Sequence, residues 1–543
     1  MKPSTQFDVS VHYPTRNLSS PRSKMWLVRL TLLACGTFLY LQLFVLPATP
    51  RVATGDQSIY LHSAARMYEG QTIYQDYDCF TLPGTDVLYL ALFKLFGVRA
   101  WIPQIMLLLV GVISARLSIV IATRVMSGPI VFLPGFLFLT LPFTSHLDAT
   151  HHLYNVLAAV SALAVVIEER TPTRLTWAGV LWGLGTCFAQ SLVLGPVAFG
   201  LFLVWERHRK RDTWGMLLKK EGCLLASYVA TVAAFNAYFV WKVGLKQFLY
   251  YTVTFVAKYF STYEPGSWRT YMLGWPSVHD WANWPDLPAW PLIHFLIPLI
   301  YILFFVRYGR EERLRPREPW DRLMLINITG LCLFLTIASA PAWNRLYTVS
   351  LPALIMLVWV LNSPFKLEQA LLRILWAAVL VLAVTRPIVT QARWKAVLDL
   401  PTGRTAFFEP GVYQETKWVL ERTHPSDYFF GNQLLCFDLR LRNPSRVLYI
   451  TPYAFTRPEE VLNVVQGLEA HQVRFVSWYP GLDDPLVEGN HLAPLRSYLE
   501  NHYHVVETFA GGHRMWERDH VINVSPVVDD LGQGSILPVA TRP

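Results

Sequence analysis

Residues 55–84 read GDQSIYLHSAARMYEGQTIYQDYDCFTLPG and follow the first long apolar run of the chain, 26–46. Gly55-Asp56-Gln57 puts a carboxylate where a membrane surface should begin. Beyond it, Ile59, Ala64, Ala65 and Met67 recur at helical spacing among polar residues, which predicts a helix over 56–70. The Asp76–Pro83 turn leads into a second helix, 85–96, closed by Gly97. At roughly 12 residues that helix is too short to span a hydrocarbon core. It is expected to lie along the interface, with Tyr89, Phe93 and Phe96 in lipid. A carboxylate in such a loop can act on a substrate whose tail stays in lipid while its polar head does not.

Outward from this loop the composition is that of a membrane protein: 53% hydrophobic and only 16% charged over 543 residues. Apolar runs long enough to cross a core of roughly 30 Å are read at 26–46, 103–123, 129–147, 153–167, 175–190, 191–205, 223–243, 290–306, 323–339, 347–361 and 370–386. The 175–205 pair is interrupted by Gly183, Gly185, Gly195 and Pro196 and reads equally as a re-entrant pair or one kinked helix. The net charge of +9 is concentrated at 206–221, 307–322 and before the first span. With about eleven crossings these segments share one side, as the positive-inside rule requires. The basicity is thus topological, and nucleic acid is not an expected partner. The N-terminus is placed in the cytoplasm; Asp56, 145–152, 244–289, 340–346 and everything after about 387 are placed on the exoplasmic face of the plasma (inner) membrane.

The expected fold class is an α-helical polytopic membrane protein with about eleven transmembrane helices and a C-terminal exoplasmic α/β domain. The boundaries read are a disordered N-terminus (1–25), a transmembrane catalytic domain (26–390) with exoplasmic loop 48–102, an α/β domain (405–518) and a disordered tail (519–543). In the α/β domain, helices are expected at 413–423, 457–471 and 490–503. Strands are expected at 427–431, 446–450, 473–478, 504–509 and 513–517. A cleaved signal peptide is the alternative for 26–46, but its length and the polar residues before it favour an uncleaved helix. Of six scattered cysteines only Cys79 and Cys436 are read as exoplasmic, and no spacing argues for pairing them.

Asp56 is the central catalytic candidate; in isolation it would read as a solvated loop acid. Asp76, Asp78 and Asp86 follow in the same loop, and Asp148 sits with His146, His151 and His152 in the next exoplasmic turn. Ionisable residues at or within a membrane are costly and more often functional than decorative. Two acids from successive loops can serve as general base on an acceptor hydroxyl and as orienting or cation-holding group. A phosphate leaving group needs positive charge, and Arg345, in Trp343-Asn344-Arg345-Leu346-Tyr347, offers a guanidinium fork or, alternatively, a headgroup anchor. Lys258 and Arg269 are weaker versions of the same idea. The aromatic loop 244–289 is an interfacial belt or a stacking surface for sugar faces or a polyprenyl chain. His151 and Asp148 are candidate metal ligands, with Mg²⁺ or Mn²⁺ ahead of Zn²⁺. The adjacent His151 and His152 should point apart, which weakens the zinc reading.

Gly55-Asp56-Gln57, then Tyr60, Ala64, Gly70, Tyr74, Asp76, Pro83-Gly84 and Leu95-Phe96-Gly97, resemble the GT-C class of membrane glycosyltransferases, in its bacterial aminoarabinose, protein-mannosyl and Rgt-type branch. Leu147-Asp148-Ala149, Arg345-Leu346-Tyr347 and Leu351-Pro352 extend the resemblance, which covers about 26–390. It implies a polyprenyl-phosphate-sugar donor, exoplasmic transfer with inversion to a glycan, lipid or protein acceptor, Asp56 as catalytic base and Asp148 as second acid. Tyr60, Asp76, Asp78, Arg345, Tyr347, Lys258 and Arg269 are then substrate-binding candidates. The aminoarabinose branch has Glu-Lys-Pro-Pro in its first loop, where this chain has Phe80-Thr81-Leu82-Pro83-Gly84, so a phosphate-contacting Lys is missing there. Gln190 likewise stands where relatives often carry Lys. Two other classes are carried beside this one. A transporter or flippase of a lipid-linked solute predicts charged or broken helices near mid-membrane and an inverted repeat, neither of which is evident. A non-catalytic envelope scaffold predicts that Asp56→Asn is silent.

Overall fold

A computed structural model describes residues 21–260, 271, 275, 278–279, 281–338, 343–453, 456–483 and 491–519. Arg269, most of the expected N-terminal segment and all but the first residue of the expected tail lie outside the described residues. Helices dominate the first 392 residues. The first, α1 (Pro21–Leu43), leads through a short hairpin, β1 (Phe44–Val45) and β2 (Thr49–Pro50), into the loop helices α2 (Asp56–Tyr68) and α3 (Gly84–Phe96). Then come α4 (Ile102–Ala122), α5 (Leu133–Phe138), α6 (His151–Val166), α7 (Pro172–Phe188), α8 (Leu194–Lys210) and α9 (Trp214–Val243). After Gly244 the chain continues as α10 (Leu245–Leu249), a π turn (Tyr250–Phe255) and α11 (Val256–Lys258). The rest of this part is α12 (Ala289–Glu311), α13 (Trp320–Thr336), α14 (Trp343–Thr348), α15 (Leu351–Leu361) and α16 (Lys366–Ala392).

Five of these helices, α1, α4, α9, α12 and α16, are long and apolar enough to cross a membrane, and shorter apolar helices pack among them. The chain is a membrane protein. At 175–205 there are two helices, α7 and α8, with a break at Ala189 where the backbone turns extended.

Beyond α16 the expected helices appear as α17 (Pro410–Leu420), α19 (Pro458–Ala470) and α20 (Ala493–His502), with the short α18 (Gln433–Asp438) between the first two. Strands β5 (Phe429–Phe430), β6 (Phe475–Trp478), β7 (Tyr503–Thr508) and β8 (Arg514–Arg518) form one sheet in the order β5-β6-β8-β7. β5 runs parallel to β6, and the other pairs are antiparallel. Residues 446–450 are not a strand: Asn443 takes the Val447 and Leu448 carbonyls onto its side-chain amide, which holds the segment as a loop. A hairpin of β3 (Ala396–Leu400) and β4 (Gly403–Phe407) precedes the sheet and was not anticipated. All six cysteines are free.

The first loop is clamped between the membrane helices and the C-terminal segment. The amides of Val52, Asp78 and Ala100 donate to the carbonyls of Ala406, Arg446 and Thr402. This corrects the lipid-facing expectation for α3. Tyr89 and Phe93 are fully buried: the Tyr89 hydroxyl donates to the Ala149 carbonyl (2.6 Å), and Phe93 stacks on Phe437. Leu95 and Phe96 at the end of the helix are the exposed ones. The close packing explains Pro83-Gly84. A Cβ on Gly84 would meet the Cys187 carbonyl oxygen at 2.4 Å, so only glycine lets α3 start against the end of α7.

Candidate active site

Gly55 has φ +73°, a left-handed conformation that releases the chain from the loop and starts α2 at Asp56. Gln57, one residue on and buried, accepts the Ala149 amide on its Oε1 (3.0 Å). That bond ties the start of α2 to the turn carrying Asp148. The turn itself follows a π turn, Leu139–Phe143, with Pro142 inside it. π turns of this kind recur at functional sites because they re-aim the residues that follow. Two acids 92 positions apart in sequence are thus brought together by one motif and one irregular helix end.

Each segment faces two cavities. The first, about 610 Å³, is lined by Asp56, Tyr60, Asp78, Asp86, His151, His152 and Arg345, and closed by Tyr449, Tyr453 and Tyr479 from the C-terminal segment. The second, about 590 Å³, is lined by Gly55, His146, Asp148 and Tyr347, with Arg51, Arg386 and Arg393 facing Asp286 and Glu409. Gly55/Asp56, the 146–152 turn and Arg345–Val349 each contribute to both, so these three segments are the common wall.

The Asp56 carboxyl opens on the first cavity, yet protein surrounds it on most sides. Loss of hydration pushes its pKa up, and the neighbouring Asp148 pushes it further; Arg345 and His146 act in the opposite direction. Asp148 is buried, with Oδ2 3.4 Å from His146 Nε2 and 3.4 Å from the Thr150 hydroxyl, and its Oδ1 has no hydrogen-bond partner. The Tyr60 hydroxyl hydrogen-bonds His151 Nδ1 (2.7 Å). Asp86 is also buried on this cavity, and desolvation lifts its carboxyl to about 7. Around the second cavity, burial and then the Arg393 charge pull the Arg51 guanidinium down to about 10.

The remaining sequence candidates divide. Asp78 lines the first cavity but is held by the Tyr251 hydroxyl (2.5 Å) and by Arg446 (3.3 Å). Asp76 lies away from it, accepting the Thr72 amide to close a turn. Lys258 is exposed beside the Tyr259 ring and is not part of the cavity wall. Gln190 lines the cavity and donates to the carbonyls of Phe80 and Thr252, stapling the first loop to the π turn of 250–255. Among the aromatics of that turn, Tyr251 is buried against Tyr74, and Arg457 lies over Tyr250, Phe255 and Tyr259.

The histidine expectation needs correction. His151 and His152 do not point apart; their ring centroids are 3.9 Å from each other on the cavity wall. The metal pairing of His151 with Asp148 does not hold either. His151 Nδ1 is engaged by Tyr60, Asp148 lines the other cavity, and among the described residues no three His, Cys, Asp or Glu side chains converge as a metal site. No step is assigned to a metal.

Arg386 was missed. It sits at the end of a run read as apolar, buried, and donates to Asp286 (2.7 Å) and Ser145 (3.0 Å). An arginine interrupting an apolar span was the signal that could have found it.

No protein-family model and no curated relative matches the sequence. Solved structures do match in fold. ArnT from Cupriavidus metallidurans bound to undecaprenyl phosphate aligns with TM-score 0.54 at 13% identity, covering 92% of this chain and 98% of that one. The apo form of the same protein gives 0.56 at 14%, covering 91% and 98%. The oligosaccharyltransferase AglB from Archaeoglobus fulgidus, in complex with an inhibitory peptide and a dolichol-phosphate, gives 0.50 at 12%, covering 91% and 75%. The chain therefore has the GT-C fold of ArnT and AglB, the architecture that its first-loop motifs resemble.

Proposed function

We propose that this chain is an inverting glycosyltransferase that moves a sugar from a polyprenyl-phosphate donor to an acceptor hydroxyl on the exoplasmic side of the membrane, with about eleven crossings and the C-terminal segment outside. The observation that carries this is the shared wall: Asp56, Asp148 and Arg345 stand on three segments that separate two cavities of nearly equal size. Two cavities meeting at a base suit two substrates meeting at one bond.

In this reading the donor phosphate lies by Arg345, whose guanidinium matches a phosphate bidentately. Asp56 takes the proton from the acceptor hydroxyl as its oxygen bonds to the anomeric carbon. The carbon–oxygen bond to the phosphate breaks on the opposite face, and the phosphate leaves with that electron pair as polyprenyl phosphate. A phosphate leaves as an anion, so no strong general acid is required. Asp148 raises the basicity of Asp56 by like charge, and His146 acts on it in the opposite direction. The likeness of fold to an ArnT structure holding undecaprenyl phosphate and an AglB structure holding dolichol-phosphate supports a lipid phosphate as the donor's carrier.

The test is release of polyprenyl phosphate from a panel of radiolabelled undecaprenyl-phosphate sugars by the protein in proteoliposomes with cell-envelope extract as acceptor. Sugar transfer by the parent and loss of it in Asp56→Asn is the expected result. Equal transfer by both, at equal protein level, overturns the reading.

A further inference from the structure

A third cavity, about 480 Å³, lies on another face of α2, between that helix and the C-terminal segment. Its wall carries four arginines, Arg66, Arg440, Arg442 and Arg446, against two acids, Glu69 and Asp76. Asp76 is occupied in capping the Thr72 amide, and Arg446 pairs with Asp78. Arg440 and Arg442 make no ion pair among the described residues, so the wall keeps an excess of positive charge.

Two buried nitrogens on this wall have no hydrogen-bond partner. Arg66 is 6% exposed; its Nε donates to Gln71 and its Nη2 to the Ser445 carbonyl, which leaves Nη1 unpaired. His62, 2% exposed, leaves Nε2 unpaired one turn away on the same helix. Unpaired buried polar groups are rare and costly in folded proteins, and a bound ligand is one thing that satisfies them. The outer wall is of another kind. Tyr428 and His471 stack at 3.9 Å with 20° between planes, and Asn463 and Gln466 stand beside them. Flat rings with carboxamides bind the faces and hydroxyls of sugars, whereas guanidinium forks bind carboxylates and phosphates.

We propose that this cavity binds an anionic saccharide unit, a uronic acid or a sugar phosphate, with its charge on Arg66, Arg440 and Arg442 and its ring against Tyr428 and His471. Helix α2 lies between this cavity and the first, and the Asp78–Arg446 pair links their walls, since Asp78 lines one and Arg446 the other. A charged acceptor glycan held here would be anchored further along α2 from Asp56, Arg66 lying ten residues on and so roughly 15 Å along the helix. That role as an acceptor anchor rests on the transferase reading; the binding itself does not.

The experiment is calorimetric or saturation-transfer binding of glucuronate, glucose 6-phosphate, glucose and inorganic phosphate to the full-length protein in nanodiscs, with no transfer required. Glucuronate or glucose 6-phosphate should bind more tightly than either glucose or inorganic phosphate. The Arg440→Gln/Arg442→Gln double variant should weaken that binding at least tenfold, and His471→Ala should weaken the sugar phosphate more than inorganic phosphate. Undecaprenyl phosphate binding should stay unchanged in both, because none of the three residues lines the catalytic cavity. No binding by the parent, unchanged affinity in the double variant, or equal affinity for inorganic phosphate and glucose 6-phosphate overturns the proposal. Binding without any transfer activity would sustain it while failing the transferase reading.

Discussion

Asp56→Asn exchanges a carboxylate for a neutral isostere at a position on which Asp148 and Arg345 both act. Loss of a positioned general base costs roughly 10²- to 10⁴-fold in rate, about 3–5 kcal/mol of barrier at 1.36 kcal/mol per tenfold. The neighbours make a sharper test than the rate alone. As the proposed base Asp56 works deprotonated, so transfer should fall as pH drops through its raised pKa. Asp148→Asn removes a like charge that lifts that pKa, and the acid limb of the pH profile should move to lower pH. Arg345→Gln removes an opposite charge that lowers it, and the limb should move to higher pH. The two variants therefore shift in opposite directions whatever their effect on maximal rate. Stability should not fall in Asp56→Asn. A carboxyl with a raised native pKa loses folding stability as pH rises through that pKa, and Asn abolishes the loss. The assay is single-turnover release of undecaprenyl phosphate between pH 5 and 9 in proteoliposomes, alongside thermal melts. Shifts of the same sign in Asp148→Asn and Arg345→Gln, or an Asp56→Asn rate within threefold of the parent, would refute the reasoning.

Asp86, fully buried with its carboxyl near 7, destabilises the fold progressively as pH rises from about 4 to 7. Asp86→Asn should add up to about 4 kcal/mol of stability at pH 8, read as a higher melting temperature, and change nothing near pH 4. Arg345→Gln should weaken undecaprenyl phosphate binding by roughly 10- to 100-fold, the worth of a charge-assisted hydrogen bond; equal affinity in a lipid-binding assay would remove Arg345 from the phosphate site. Arg386→Gln leaves Asp286 without its ion-pair partner and should cost about 2–4 kcal/mol, read as a lower melting temperature. The Arg386→Met/Asp286→Leu double variant should recover most of that. Gly84→Ala drives a Cβ into the Cys187 carbonyl and should destabilise by about 1–3 kcal/mol in the same melts, whereas Gly215→Ala, with open space around it, should not.

The membrane character, the helices of the first loop and the acids at its start were legible because each depends on local pattern. Apolar length sets which segments can cross, and 3.6-residue spacing sets α2 and α3 within a residue of their expected starts. Asp56, Asp148 and Arg345 could be named from position and chemistry, but not their arrangement. Their convergence depends on Gln57 reaching the Ala149 amide and on the π turn before His146, contacts between segments some 90 residues apart.

What the sequence determined by itself is therefore a helical membrane chain with its acids gathered at one face, because hydropathy and turn chemistry act over a few residues. What only the tertiary structure decided is the division of labour among those acids and the closure of the site. Asp76 and Asp78 lie in the same loop as Asp56, yet one caps a turn and the other is pinned between Tyr251 and Arg446. Tyr89 and Phe93, lipid-facing by amphipathicity, are buried because Tyr89 packs on Tyr154 and the Ala149 carbonyl and the C-terminal segment presents Phe437 to Phe93. The same segment supplies Tyr449, Tyr453 and Tyr479 to the first cavity and most of the wall of the third. No local pattern encodes these roles, since each depends on which surface the chain brings back hundreds of residues later.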